Sequence, residues 1–287
     1  MLNKSSIFAA PFFGYEVKGF MNKKKVLYIT QEIDPFVNDS GIGELIQKLP
    51  SFAQDSGMEI RILMPRFGTI NERRHRLHEV VRLSGMNIII DDDDYALIIK
   101  VASLPGSRIQ VYFLDNDEFF KRKFVFEDEE GNPYDDNQDR MIFFCKGALE
   151  IVKKFGWPPD IIHCHGWMTS LIPFYLKTVY KNDPVFKQSK VILSLYEKSL
   201  ESTFTDSFFK KAAINNLKMD QLNVFKNGTG IALQKGAIQY ADGIIQGSSN
   251  LHESLLQAVQ THNKPYIETP EEDFLPNYID FYKTITN

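Results

Sequence analysis

The sequence predicts an α/β fold: a doubly wound, mostly parallel sheet with an inserted β-hairpin region. Three observations lead there. An apolar run of strand length, Val26-Leu27-Tyr28-Ile29-Thr30, precedes a Gly-containing loop, a segment of helical spacing and a second apolar run, Ile60 to Met64. A strand, helix, strand opening implies parallel strands joined by a crossover helix. The same alternation resumes beyond Asn137, and between the two stretches lie short β-type runs separated by polar turns.

Taken in order, Leu45, Ile46, Leu49, Phe52 and Ala53 place a helix over Glu44 to Ser56. Pro50 is expected to kink or interrupt it, and Ser56-Gly57 to end it. Asn87 to Ile90, Tyr95 to Leu104 and Ile109 to Leu114 read as strands, with turns at Asp91-Asp92-Asp93-Asp94 and Pro105-Gly106. Four adjacent aspartates could hold a hard cation, but a solvated hairpin tip is the simpler reading. Asp139 to Phe155 is strongly periodic, with Asn137 as N-cap and Gly156 as C′ residue. Then follow a strand at Ile161 to Cys164, a helix at Thr169 to Tyr180 and a strand at Lys190 to Leu195. Ala232 to Ala241 is helical, Gly243 to Gln246 a strand and Asn250 to Gln260 a helix, while the segment from Lys264 on, rich in Pro and acids, reads as a tail. These elements make a Rossmann-like domain over 23–262, between an arm at 1–22 and a tail at 263–287.

Composition narrows the partners. With 43% apolar residues among 287, the chain can bury a sizeable core. A net charge of −4 leaves no electrostatic footprint for nucleic acid or an anionic membrane, and suits a neutral ligand at least as well. No apolar stretch approaches the length of a membrane span. The short patch Ile7 to Phe13, broken by Pro11, is not a secretory core, so residues 1–20 read as a loose arm or an early start before Met21. Cys145 and Cys164 belong to no paired framework. Buried thiols in a reducing cytoplasm follow, with no zinc site, no metal and no cofactor expected.

In open parallel sheets, ligands bind beyond the carboxyl ends of the strands. Three segments lie there. In the loop Asp34 to Glu44, Gly41 and Gly43 allow close backbone approach, although the loop is neither a GxGxxG nor a P-loop sequence, and a plain turn into a helix fits as well. His163-Cys164-His165-Gly166-Trp167 puts two histidines on one strand face and an aromatic ring beside them, as a sugar site would. His163 reads as a core histidine, and His165, nearer the strand end, as the functional candidate. In Gly131 to Asn137, Asp136 could accept bonds from sugar hydroxyls, or Asp136 and Asn137 could cap the helix, and both can hold at once.

These residues, in this order, resemble the ADP-glucose-dependent glycogen/starch synthases, glycosyltransferases of the two-domain GT-B type. The resemblance runs through Pro35-Phe36-Val37, Gly41-Ile42-Gly43, Leu49-Pro50 and Pro65-Arg66-Phe67-Gly68. It continues through Val111 to Asn116, Gly131 to Asn137, Phe143-Phe144, Ala148-Leu149-Glu150 and Pro159 to His165. Trp167, Lys235-Gly236 and Tyr240-Ala241-Asp242 complete it. It implies the N-terminal half of a GT-B fold, facing the acceptor glucan and touching the transferred glucose. Asn38, Ser40, Gly41, Gly43, Asp136, Asn137, His165 and Trp167 are the substrate-binding candidates, with His165 and Asp136 the candidates for a catalytic part.

Three departures bear on activity. The family's loop reads Lys-x-Gly-Gly-Leu, its lysine helping to hold the donor, where this chain has Asn38-Asp39-Ser40-Gly41-Ile42. Gly166 takes the Asp position of the family's His-x-His-Asp-Trp, and Leu193-Ser194-Leu195-Tyr196 replaces a Thr-x-His-Asn strand end. The resemblance also stops where the family's N-domain ends. The expectation is a stand-alone N-domain that binds a glucan or small sugar without transferring glucose by itself. Alternatives are an active transferase completed by self-association or a separately encoded GT-B C-terminal domain, and a non-enzymatic scaffold or regulator.

Overall fold

A computed structural model describes residues 23–200, 203–226, 229–268 and 274–287. The arm, with its Ile7 to Phe13 patch, lies outside them. The chain opens with strand β1 (Lys25–Thr30), helix α1 (Ile42–Asp55) and strand β2 (Glu59–Pro65). A short helix α2 (Glu72–His75) leads to β3 (His78–Glu79), β4 (Met86–Ile90), β5 (Asp93–Ser103) and β6 (Gln110–Asp115). Helices α3 (Asp117–Phe120) and α4 (Asn137–Phe155) precede β7 (Ile161–His165), α5 (Leu171–Lys177) and β8 (Lys190–Leu195). Then come α6 (Asp206–Ala212), α7 (Gly230–Tyr240), β9 (Gly243–Gln246), α8 (Glu253–Thr261), β10 (Tyr266–Ile267) and α9 (Leu275–Thr286).

The strands form one sheet in the order β10-β9-β8-β7-β1-β2-β6-β5-β3, with β4 paired to β5. From β10 to β6 every pairing is parallel, whereas β5 runs antiparallel to β6, β3 and β4. This is the mostly parallel α/β sheet with an inserted hairpin. The hairpin turns at Asp91-Asp92, with Ile90 opposite Asp93 and Asp91 at φ 55°. Lys210 of α6 sits 2.8 Å from the Asp91 carboxylate, so part of the acidic tip is neutralised. Strand β1 is completely buried over Val26 to Ile29, as a strand covered by helices on either side must be.

Several boundaries differ from the sequence expectation. Pro50 does not interrupt α1. It lies within an unbroken helix and is buried with Ile46, Leu49 and Ala53. A proline forfeits one helical hydrogen bond, and burial of this apolar face offsets that loss. Helix α4 begins at Asn137, leaving Asp136 in the N-cap position without a side-chain cap. Asn137 is drawn inside because its side chain is used elsewhere: it donates to Phe126 O at 2.8 Å and accepts from Arg140 Nη1 at 2.6 Å. The helix expected over Thr169 to Tyr180 splits into a 3-10 turn, Trp167–Thr169, and the short α5.

The largest correction concerns the tail. Helix α9 packs its Tyr278, Ile279, Phe281 and Tyr282 into the core. Gly243 makes room for it, since a Cβ there would stand 2.9 Å from Phe281 and Ile285. Pro276 does not break it, since proline is tolerated in a first helical turn. Tyr282 reaches the centre of the sheet. Its hydroxyl donates to the Tyr28 hydroxyl at 3.1 Å and so accepts from His163 Nδ1 at 2.7 Å. That tautomer leaves His163 Nε2 to accept from Ser194 Oγ at 2.8 Å. His163 is thus a fully satisfied core histidine. Tyr282→Phe keeps the ring and strands two buried partners. It is expected to destabilise the chain by about 1–3 kcal/mol in urea unfolding, with an unchanged slope.

Candidate functional site

Strand β1 has β2 on one side and β7 on the other. The chain therefore winds outward in one direction after β1 and in the other after β7, and the crevice between their carboxyl ends is the topological switch point. The segments that follow β1, β7 and β8 meet there.

The loop after β1 is shaped around one carboxylate. Glu32 is completely buried. It accepts from the backbone N–H of Asp39 at 2.9 Å and of Ser40 at 2.8 Å, from Ser40 Oγ at 2.7 Å and from Gln31 Nε2 at 2.9 Å. Burying an anion without such donors would be prohibitive. Gly43 lets the loop close on the start of α1, because a Cβ there would meet Val37 O at 2.9 Å. Ser40 and the two glycines thus build the loop's shape, while Asn38 and Asp39 are exposed on it.

After β7 the backbone turns at Gly166, with φ 83° and ψ 161°, a conformation essentially reserved for glycine. A Cβ there would lie 2.4 Å from the Gln31 side chain. Gln31 fills that space and accepts from Met168 N–H at 3.2 Å. His165 lies beneath this turn and is completely buried, which corrects the expectation of an accessible strand end. The cover comes from the Trp167–Thr169 turn, into which the chain folds directly after the strand, and from Tyr196, whose hydroxyl is 2.8 Å from His165 Nδ1. Its Nε2 has no hydrogen-bond partner among the described residues, and burial pushes its pKa down to about 3.

Above these groups lies a cavity of about 220 Å³. Its aromatic wall is Phe124, Phe126 and Trp167, and its polar lining includes Asp39, Glu127, Asn137 and Lys198. Trp167 is only 4% exposed and packs on Phe126 with ring centroids 5.0 Å apart, whereas Phe124 and Phe126 are both half-buried and so more accessible than Trp167. Lys198 pairs with Asp39 across the mouth. Asp136 does not line the cavity. Its carboxylate takes both arms of Arg122, one at 2.8 Å, and so ties the neck of the loop that carries Phe124, Phe126, Glu127 and Pro133. Glu32, Phe124, Phe126 and Lys198 were not singled out in the sequence, since nothing local distinguishes them.

Among the described residues no group of three or more His, Cys, Asp or Glu side chains is placed to hold a metal ion, and no helix is long and apolar enough to cross a membrane.

The burial of His165 has a pH consequence. A histidine with a depressed folded pKa binds fewer protons than in the unfolded chain, so its stabilising contribution is full above pH 6.5 and is lost as pH falls toward 3. His165→Gln, if it keeps the fold, is expected to lessen the acid slope of unfolding free energy by up to about 1.4 kcal/mol per pH unit in that window. His165→Ala is expected to cost about 2–4 kcal/mol, against the near-zero cost of an exposed histidine.

Comparison with known proteins places this geometry in a family. The pattern described as starch synthase catalytic domain matches residues 25–264. A glycogen synthase of Chlorobium phaeobacteroides is 38% identical over 229 residues, covering 77% of this chain and 47% of that protein. A glycogen synthase of Chlorobium luteolum is 42% identical over 188 residues, covering 65% of this chain and 38% of that protein. The catalytic domain of starch synthase IV from Arabidopsis thaliana, bound to ADP and acarbose, superposes with a TM-score of 0.72 at 21% identity, over 86% of this chain and 51% of that one. The chain spans about half the length of the curated relatives it matches. It belongs to the starch synthase catalytic domain family, whose GT-B Rossmann-like half its mostly parallel sheet matches.

Proposed function

We propose that this chain forms the acceptor-side wall of a glucan synthase cleft and binds an α-1,4-glucan end in the cavity at the switch point. The observation that carries this reading is the cavity's lining: aromatic rings on one wall, and hydrogen-bonding groups with their charges mostly paired on the other. A sugar ring has apolar faces that stack on aromatics and a rim of hydroxyls that exchange hydrogen bonds, so it matches both. Glu32 and the Arg122–Asp136 pair are positioning groups in this scheme. They hold the two loops that carry the contacts.

Glucose transfer from ADP-glucose requires donor and acceptor to be held together, and one wall does not do that. We assign transfer to an assembly in which a second wall, on a GT-B C-terminal domain, faces this one. The cation in the cavity lining, Lys198, is already engaged by Asp39, which leaves little to attract a pyrophosphate.

Two measurements test the reading. Maltotriose titrated into the chain by calorimetry is expected to bind in the millimolar to sub-millimolar range, and Phe124→Ala to weaken it about tenfold with an unchanged thermal midpoint. Equal binding by Phe124→Ala would remove the cavity from the reading, and no binding at all would favour a scaffold. ADP-glucose is expected to bind more weakly than about 1 mM, with no label incorporated into glycogen by this chain alone. Micromolar donor binding with steady incorporation would mean that the chain is itself a working transferase.

A further inference from the structure

The loop that walls the cavity is tied at its neck by one carboxylate, and a second guanidinium stands four residues from that carboxylate in the chain. Residues 123–134 leave the body at Arg122 and rejoin it just before α4, and Phe124, Val125, Phe126, Glu127 and Pro133 within them line the cavity. At the neck, Asp136 takes both arms of Arg122. Further out, Asn137 Nδ2 donates to Phe126 O at 2.8 Å, and the Phe126 ring packs on Phe67 and Trp167 with centroids 5.4 and 5.0 Å apart.

The second guanidinium belongs to Arg140. It is completely buried, and among the described residues no carboxylate pairs with it. Its Nε donates to Phe119 O at 2.7 Å and its Nη1 to Asn137 Oδ1 at 2.6 Å, but Nη2 has no hydrogen-bond partner among the described residues. Burial pushes its pKa down to about 10. Four rings stand in for the missing anion. Phe67 and Phe120 of the body lie 5.6 Å from its Cζ, and Tyr134 and Phe126 of the loop lie at 5.5 and 5.9 Å. Tyr134 also faces Arg122, at 4.4 Å. A buried charge needs compensation, and half of this aromatic cover departs if the loop swings out. A replacement stands beside it. Asp136 precedes Arg140 by four residues and accepts from its backbone N–H at 3.0 Å, the spacing at which Asp and Arg side chains meet on a helix. In the present pair the side chains of Arg122 and Asp136 are 25% and 31% exposed, so giving that pair up costs little.

We propose that residues 123–134 form a lid on the cavity, with two positions set by a swap of partners at Asp136: closed when it holds Arg122, open when it holds Arg140. In the closed position the rings of the loop screen Arg140, and Arg122 keeps the carboxylate. In the open position Asp136 neutralises Arg140 as Phe126 and Tyr134 leave it. Each position satisfies the buried charge with a different partner, which gives two discrete states rather than a continuous drift. A ligand that touches Phe124 or Phe126 binds the closed state better and draws the equilibrium toward it. The lid is a property of the cavity wall and does not depend on which ligand the cavity takes.

Amide hydrogen exchange over residues 123–134, measured on the full chain without ligand, tests the lid. Arg122 and Asp136 are partly exposed, and Asp136→Asn keeps a competent N-cap, so the variants are expected to fold; unchanged exchange over β1 and β7 checks this. Arg122→Gln removes the closed partner and is expected to speed exchange of the loop about tenfold. Adding Asp136→Asn to Arg122→Gln removes the open pair as well, and is expected to return exchange most of the way to the parent rate. A carboxylate that serves only to tether Arg122 predicts no such reversal, because in the Arg122→Gln chain it has nothing left to hold. Unchanged loop exchange in Arg122→Gln overturns the lid. Fast exchange that Asp136→Asn leaves in place, or speeds further, overturns the swap of partners. If Arg122→Gln disturbs β1 or β7, Arg122→Lys, which keeps the charge and loses the fork, takes its place in the same comparison.

Discussion

The crevice depends on one buried carboxylate. Glu32 lies two residues beyond β1, and among the described residues it forms no salt bridge. Two backbone N–H groups, a serine hydroxyl and a glutamine amide supply its compensation. An ionised group taken out of water costs several kcal/mol even after relaxation, so each donor is obligatory. Three of the four come from the Asp39-Ser40 segment, and satisfying Glu32 therefore dictates where that segment lies. The position of Asp39 at the mouth, the close contact at Gly43 and the start of α1 at Ile42 all follow from it. The mouth of the site is thus set by electrostatics, and only its floor by apolar packing.

Around this anchor, the departures from the family pattern come in matched sets. Glycine at position 166 leaves a space beside the strand end, and Gln31 occupies it while binding Met168 N–H. The altered end of β8 supplies Ser194 and, one residue past the strand, Tyr196, which bond His163 and His165, two residues apart on β7. Read singly, each change looked like a lost polar contact. Read across the sheet, each hydroxyl meets a histidine nitrogen that would otherwise be buried and unpaired. Tyr282 of α9 completes the set from the opposite side.

This is also where the sequence was legible and where it was not. Parallel strands and covering helices announce themselves through local period, and β8 and β9 lie where periodicity puts them. The site segments could be placed because topology puts ligands at one sheet edge. Pairing across distant residues leaves no local trace. Nothing near Tyr282 announces a partner at His163, and nothing near Asp136 announces Arg122. His165 looked exposed because it ends a strand, yet the cover over it comes from residues 167–169 and 196 together. Helix α9 was passed over because Pro and acidic residues outweighed its apolar spacing, although proline in a first turn is compatible with a helix.

Charge at the mouth decides what kind of ligand the crevice favours. Asp39 beside the position of a lost lysine reads from sequence as plain repulsion toward an anion. In the fold Lys198 approaches from the far loop and cancels it. Both side chains are near half exposed, at 40% and 51%, so their pairing contributes at most about 1 kcal/mol and Lys198 can be drawn away cheaply. Drawing it away does not help an anionic ligand much. One cation would then face two anions, the ligand and the released Asp39. A neutral ligand meets no such conflict, because it can take hydrogen bonds from Lys198 and give them to Asp39 while the pair stays intact. On the proposed sugar-binding reading, the mouth selects by charge balance rather than by shape, and that balance favours hydroxyls over phosphates.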